Sequence, residues 1–300
     1  MRILLTGASG LIGRALQVLL RDQGHEVVCL TRSQRPTTSG LIWWNPYAGQ
    51  LPPESVDGFD AVVHLAGESI MGRWTAAKKA RILESRVKGT RLLCETLAGS
   101  GKRPKVLISA SAIGYYGDRA DRVLDERSPA GSLFLSEVAQ AWERATEAAQ
   151  RSGIRVVNLR IGFVLNRAGG GLAAMLLPFR LGLGGRVGTG RQYMSWIAID
   201  DLVGAISHAL CTVSLRGPVN AVAPHPVTNR EFTRTLGQLL HRPTIFPLPA
   251  FAVRLALGQM GQELLLASTR VEPAALVASG YKFRFPEVES ALRYTLNVTG

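Results

Sequence analysis

The chain has 300 residues, of which 46% are hydrophobic and 19% charged, a composition that builds a packed core and excludes a disordered chain. Its formal net charge is +13, yet only six of its 35 basic residues are Lys and the Arg are scattered over the whole length, with no basic tail and no nucleic-acid motif, so a nucleic-acid partner is not expected. Cys29, Cys94 and Cys211 have neither disulfide nor zinc spacing, and no His has a ligand-like neighbour, which points to the reducing cytoplasm and to no metal.

Met1-Arg2 leads, without the pattern of a secretion signal, into a first predicted strand, Arg2–Leu5. Thr6-Gly7-Ala8-Ser9-Gly10-Leu11-Ile12-Gly13 follows it and opens a predicted helix, Leu11–Asp22. Strand, glycine turn and helix in that order are the context of a dinucleotide-binding turn. Gly7 permits the tight turn, Gly10 lets backbone N–H groups approach a pyrophosphate, and Gly13 allows close helix packing. Ser9, Leu11 and Ile12 complete the turn, and the helix N-terminus adds partial positive charge.

The second predicted strand, Glu26–Thr31, ends in Thr31-Arg32-Ser33, with Arg35 close behind. NAD binders usually place Asp or Glu there, to accept hydrogen bonds from the ribose 2′-OH. A carboxylate would repel a 2′-phosphate, whereas Arg32 pairs with one bidentately. The expected cofactor is NADP.

Further strands are predicted at Ala61–His64, Lys105–Ser109, Arg155–Leu159 and Val219–Val222, and helices at Ala76–Ala98 and Leu135–Arg151. This alternation predicts an α/β fold: a Rossmann-type, doubly wound parallel sheet with a smaller C-terminal cap. After Val164 come Gly169-Gly170-Gly171, the apolar run Leu172–Phe179 and a string of glycines to Gly190. From Pro224 onward helices are predicted at Asn229–Leu240, Phe251–Leu266 and Pro273–Ser279. The reading is a dinucleotide-binding domain over 1–164, with a sheet contribution from about 196–223, and a substrate-side cap from 165–195 and 224–300. Arg254, Gln259, Gln262 and Glu263 interrupt the apolar stretch Leu248–Ala267. It reads as an amphipathic or buried helix rather than a membrane span, so no membrane partner is expected.

Several stretches resemble the extended short-chain dehydrogenase/reductases, the NAD-dependent epimerase/dehydratase group. They are Thr6–Gly13, His64-Leu65-Ala66-Gly67, Arg86-Val87-x-Gly89-Thr90 and Ser111-x5-Gly117. Leu159–Leu165, Gly188–Ile197 and Asp200-Asp201-Leu202 are similar to the branch called "epimerase family protein", which carries its own C-terminal domain. The resemblance implies that Leu65, Ala66 and Gly67 line the adenosine–ribose side of the cofactor. It also implies that Arg86, where the wider family usually has Asn, points at the cofactor. Ser109 would lie beneath the nicotinamide ribose, and Gly162 to Val164 near the nicotinamide. His64 reads as a satisfied strand-end histidine.

The family catalyses with Ser or Thr together with Tyr-x-x-x-Lys, whose lysine lowers the phenol pKa. Counting back from Glu143 puts Leu135 at the tyrosine position and Ala139 at the lysine, and a shift by one gives Phe134 and Val138. Ala112 takes the serine position, with Ser111 just before it. A proton donor must then come from elsewhere: Tyr116 with Ser111 as helper, or Tyr115, Glu68 or Glu137. Tyr193, Gln192 and Trp196 would line the cap side of the cleft, and Arg160 or Arg191 would hold an acidic substrate. Two functions follow from this. One is an NADP(H)-dependent oxidoreductase or epimerase with a small polar substrate; the other is an NADP(H)-binding regulatory or redox-sensing protein that has lost the catalytic pair.

Overall fold

The computed structural model describes residues 1–33 and 40–298; Arg35 lies outside them. Seven parallel strands form the central sheet: β1 (Arg2–Thr6), β2 (Glu26–Thr31), β3 (Leu41–Trp43), β4 (Ala61–His64), β5 (Val106–Ala112), β6 (Arg155–Ile161) and β7 (Gly217–Ala221). Their order across the sheet is β7-β6-β5-β4-β1-β2-β3. Chain order reverses between β1 and β4, and open α/β sheets bind ligands beside such a reversal, at the carboxyl ends of the strands.

Both faces of the sheet are buried, as parallel sheets require. Ile3, Leu5, Val63 and Ile108 point to one face, where α1 (Leu11–Asp22) and α6 (Ile199–Cys211) cover them. Leu4, Val28, Val62 and Leu107 point to the other, beneath α2 (Ala76–Gly99) and α4 (Glu147–Arg151). The helix expected over 135–151 is two helices, α3 (Phe134–Arg144) and α4, with a turn at Ala145-Thr146. The Thr146 hydroxyl donates to the Glu143 carbonyl across that turn at 2.6 Å, satisfying an acceptor that a continuous helix would have used.

The remaining chain packs at one end of the sheet. It contributes α5 (Gly170–Arg180), α7 (Asn229–Leu239), α8 (Ala250–Gly261), α9 (Ala274–Ala278) and α10 (Val288–Leu296). Leu172, Leu176, Trp196, Phe232, Leu236 and Leu292 form a separate core there. The helix expected over Phe251–Leu266 is interrupted by Gly258 at φ 59°, and Gln262–Leu266 winds as a π-helix. Two short strand pairs tie this end to the sheet: Val123–Leu124 with Arg270–Val271, and Phe163–Leu165 with Trp196–Ala198. Asp201, nearly buried at the start of α6, accepts the backbone N–H groups of Arg284 and Phe285 and so anchors the C-terminal segment.

Candidate active site

The glycine turn is built by close backbone contact. Gly7 has φ 71°, and a Cβ there would lie 2.7 Å from the Leu65 carbonyl. At Gly13 a Cβ would lie 2.3 Å from the Gly7 carbonyl oxygen, so this glycine packs α1 onto the turn itself. Gly10 differs: a Cβ there would meet only the Gly7 oxygen, at 3.2 Å, and its open side faces the cleft. Gly10 is the N-cap of α1, no side chain caps it, and the first turn carries no acidic residue. The first N–H groups of the helix are therefore available to an anion.

Thr6 joins this turn to β4. Its Oγ1 accepts the N–H groups of Leu65 and Ala66, both at 3.1 Å, and lies 2.7 Å from His64 Nδ1. With both lone pairs occupied, the Thr6 hydroxyl donates to Nδ1, and His64 Nε2 then donates to Thr90 Oγ1 at 2.9 Å. Trp142 Nε1 donates to the same oxygen. Burial pushes the His64 pKa down to about 4, so the ring is neutral and structural, as its sequence position suggested.

A cleft of about 490 Å³ opens over the turn. Gly7, Ser9 and Gly10 form its floor, Thr31, Arg32 and Ser33 one end, and Leu65, Ala66 and Gly67 the facing wall. Trp44, Pro46 and Tyr47 close a further side. Sequence reasoning missed this last wall, although the aromatic and proline cluster Trp43-Trp44-Asn45-Pro46 marks a rigid turn there. Among the described residues Glu68 is the one carboxylate lining the cleft, and the ammonium of Lys78, 2.8 Å away, holds its pKa below the usual range. Arg81 and Arg32 act in the same direction. An ion-paired carboxylate of this kind stays charged and makes a poor acid.

Other expected positions lie beneath or beside the cleft. Arg86 donates to the carbonyls of Glu68 and Ile82 and stacks on Trp142, directly under Gly67. Burial lowers its pKa to about 10, so it remains charged and braces the Gly67–Glu68 turn. A Cβ at Gly169 or Gly170, at the start of α5, would lie 3.2 or 3.4 Å from the Leu11 side chain, and Ile12 and Val164 pack on the core. Ser109 is fully buried. Gly162 allows a close crossing, since a Cβ there would lie 2.6 Å from the Ser195 carbonyl oxygen.

The expected proton donors are held in hydrogen bonds beneath the strand ends. Tyr116 is fully buried; its hydroxyl donates to Asn220 Oδ1 at 2.7 Å and accepts from Arg160 at 3.0 Å. Burial raises its pKa to about 12 despite the guanidinium, which is opposite to the shift an acid working near neutral pH needs. Ser111, 3% exposed, donates to Glu143, and Glu143 in turn receives Arg160 through both carboxylate oxygens. Arg160 lies 3.5 Å from the Tyr115 ring centroid. Tyr116, Ser111 and Arg160 thus belong to one buried hydrogen-bonded network. Glu137 and Arg191 stand on the surface, and Trp196 is core. Gln192 donates to the carbonyls of Val187 and Leu265. Leu135 packs against Gly114, where a Cβ would come within 3.0 Å of it. Above Leu135, Glu263 of the π-helix accepts the N–H groups of Phe134 and Leu135, capping α3 from the other end of the chain.

A model of the NAD dependent epimerase/dehydratase family matches residues 3–220, and one of a domain of unknown function (DUF1731) matches residues 248–295. Epimerase family protein MT2273 of Mycobacterium tuberculosis is 44% identical over 299 residues, covering 99% of this chain and 98% of its own. Human epimerase family protein SDR39U1, crystallised with NADPH, superimposes with a TM-score of 0.91 at 38% identity, with 100% of both chains covered. A nucleoside-diphosphate sugar epimerase from Corynebacterium glutamicum gives a TM-score of 0.82 at 38% identity, over 99% of this chain and 58% of its own.

Proposed function

The chain belongs to the NAD dependent epimerase/dehydratase family, and from that premise we propose an NADP(H)-dependent oxidoreductase or epimerase acting on a small polar substrate without a Tyr-x-x-x-Lys pair. The observation that carries the cofactor assignment is Arg32 at the end of β2, on the cleft, where an NAD binder would place a carboxylate. The human relative's NADPH supports it. Gly7, Ser9 and Gly10, with the uncapped start of α1 that continues through Leu11, Ile12 and Gly13, would hold the pyrophosphate. Leu65 to Gly67 would meet the adenosine ribose, Thr31 and Ser33 would flank Arg32 at the 2′-phosphate, and Arg86 would brace from below. On the family pattern Ser109, Gly162 and Val164 stand toward the nicotinamide. When bound, the nicotinamide would supply or accept a hydride. The buried network of Ser111, Glu143, Arg160 and Tyr116 fixes the carboxyl edge of β5 and β6, where the substrate would lie, and supplies no proton. Three free thiols suit a cytoplasmic setting.

A second reading, a regulatory or redox-sensing NADP(H) binder, is favoured by one observation: side chains without a dissociable proton, Leu135 and Ala139, stand at the family's tyrosine and lysine positions. Titration with NADPH and NADH tests the cofactor assignment. A charge-assisted hydrogen bond contributes about 1.5–3 kcal/mol, so NADPH should bind roughly 10- to 150-fold more tightly, and Arg32→Asp should abolish the difference. Equal affinities for the unmodified protein would overturn the assignment. NADPH consumption, with product analysis for epimerised sugars, which consume no net cofactor, over a broad panel of carbonyl and sugar-nucleotide substrates separates the two readings, and the absence of both selects the regulatory one.

A further inference from the structure

The cap leaves an unusual group of large apolar side chains in the open. At the end of α5, Leu177, Leu181 and Leu183 are 66%, 65% and 64% exposed. On the segment leading into and through α8, Ile245, Phe246 and Phe251 are similarly exposed, and Leu255 reaches 82%. The two stretches abut: Gly185 bridges Ile245, Val187 bridges Leu248, and Arg242 donates to the Arg180 carbonyl at 2.7 Å. Single exposed apolar residues are ordinary, but seven on two adjoining segments mark an interaction face.

The charge around these residues says what the face is for. From 165 to 199, and again from 232 to 262, the sequence has no Asp or Glu. Arg180, Arg186, Arg242 and Arg254 are interleaved with the apolar residues. Among the described residues, the side chains of Arg186, Arg242 and Arg254 donate to backbone carbonyls or to the Gln262 amide oxygen, which leaves their charge uncompensated. A second copy docked face to face would set arginine against arginine. Protruding Leu, Ile and Phe interleaved with uncompensated arginines match a surface that is apolar within and anionic at its rim.

We propose that this face of the cap lies on an anionic lipid surface, with Phe251 and Leu255 reaching the acyl boundary and Arg180, Arg242 and Arg254 meeting lipid phosphates. With 12 residues α8 is too short to cross a bilayer; lying on one is a different matter, to which the interrupted apolar stretch 248–267 is suited. The proposal is independent of the cofactor and of any reaction.

The full chain should co-sediment with vesicles of phosphatidylcholine mixed with phosphatidylglycerol and not with phosphatidylcholine alone, and added salt should weaken the binding. Phe251→Ser with Leu255→Ser should lower the partition by about tenfold or more, and Arg254→Gln by about fivefold. NADPH affinity should not change in either variant. Ile245→Ser with Phe246→Ser, on the neighbouring stretch, gives an independent second test. Failure to bind the mixed vesicles, or undiminished binding by both double variants, would overturn the proposal. So would a parent that is dimeric by light scattering and becomes monomeric in those variants, because the face would then belong to a second copy.

Discussion

Replacing Tyr116 by Phe separates a structural phenol from a catalytic one. The change removes a fully buried hydroxyl that donates to Asn220 and accepts from Arg160. Arg160 keeps both bonds to Glu143, so the loss falls mainly on Asn220. Its amide nitrogen still donates to the Glu272 carbonyl, while its buried oxygen is left without a donor. An unsatisfied buried polar atom costs about 1–3 kcal/mol. For a protein of this size each kcal/mol lowers the melting midpoint by about 2–4 °C, so the drop should be about 2–12 °C. Differential scanning fluorimetry measures it, and fluorescence titration with NADPH should give an unchanged affinity. A catalytic acid would behave in the opposite way: an unchanged midpoint with turnover down about 10²–10⁴-fold would refute the structural assignment.

Further outcomes are expected at the glycine turn, at His64 and at Glu263. Gly10→Val should keep the fold by circular dichroism and lose NADPH binding, because the new side chain enters the cleft; Gly13→Ala should lower stability as well, since its Cβ would strike the Gly7 carbonyl. His64 has a folded pKa of about 4 against an ordinary value of 6.5, so its contribution is complete above pH 6.5 and is lost as pH falls toward 4. Urea titrations across that range should show about 3 kcal/mol lost through this residue, and His64→Gln should flatten the limb. Glu263→Ala removes the carboxylate that caps α3 and should cost about 1 kcal/mol, read as a lower urea midpoint with an unchanged slope.

The sheet and the glycine turn were legible in the sequence because their signals are local: β-branched runs, and a turn in which Gly10 and Gly13 lie against Gly7 a few positions away. β3 was not legible, since Leu41–Trp43 is three residues long and is specified by pairing with β2. The cofactor side of the site was largely readable for the same local reason, from Gly7 to Gly13 and from Thr31 to Ser33. The polar network was not. Ser111 and Tyr116 lie at and just beyond the end of β5, where a ligand would be expected, and the partners that occupy them, Glu143, Arg160 and Asn220, come from three other elements. Glu263 and Asp201 act over similar distances in the chain, and no periodicity announces them.

The clasp between the two ends of the molecule also bears on how it folds. Asp118 and Leu124 take backbone N–H groups from Ser268 and Glu272, and Glu126 takes one from Ala275. The Asp118 and Glu126 contacts join residues 150 and 149 positions apart in sequence. Such closures are entropically slow. A ribosome adding about 5–20 residues per second would leave the strand before Glu126 exposed for roughly 7–30 seconds before its partner emerges. The segment around Glu126 must therefore wait, with acceptors unmatched and a short strand's edge open, for residues 268–275 to reach it.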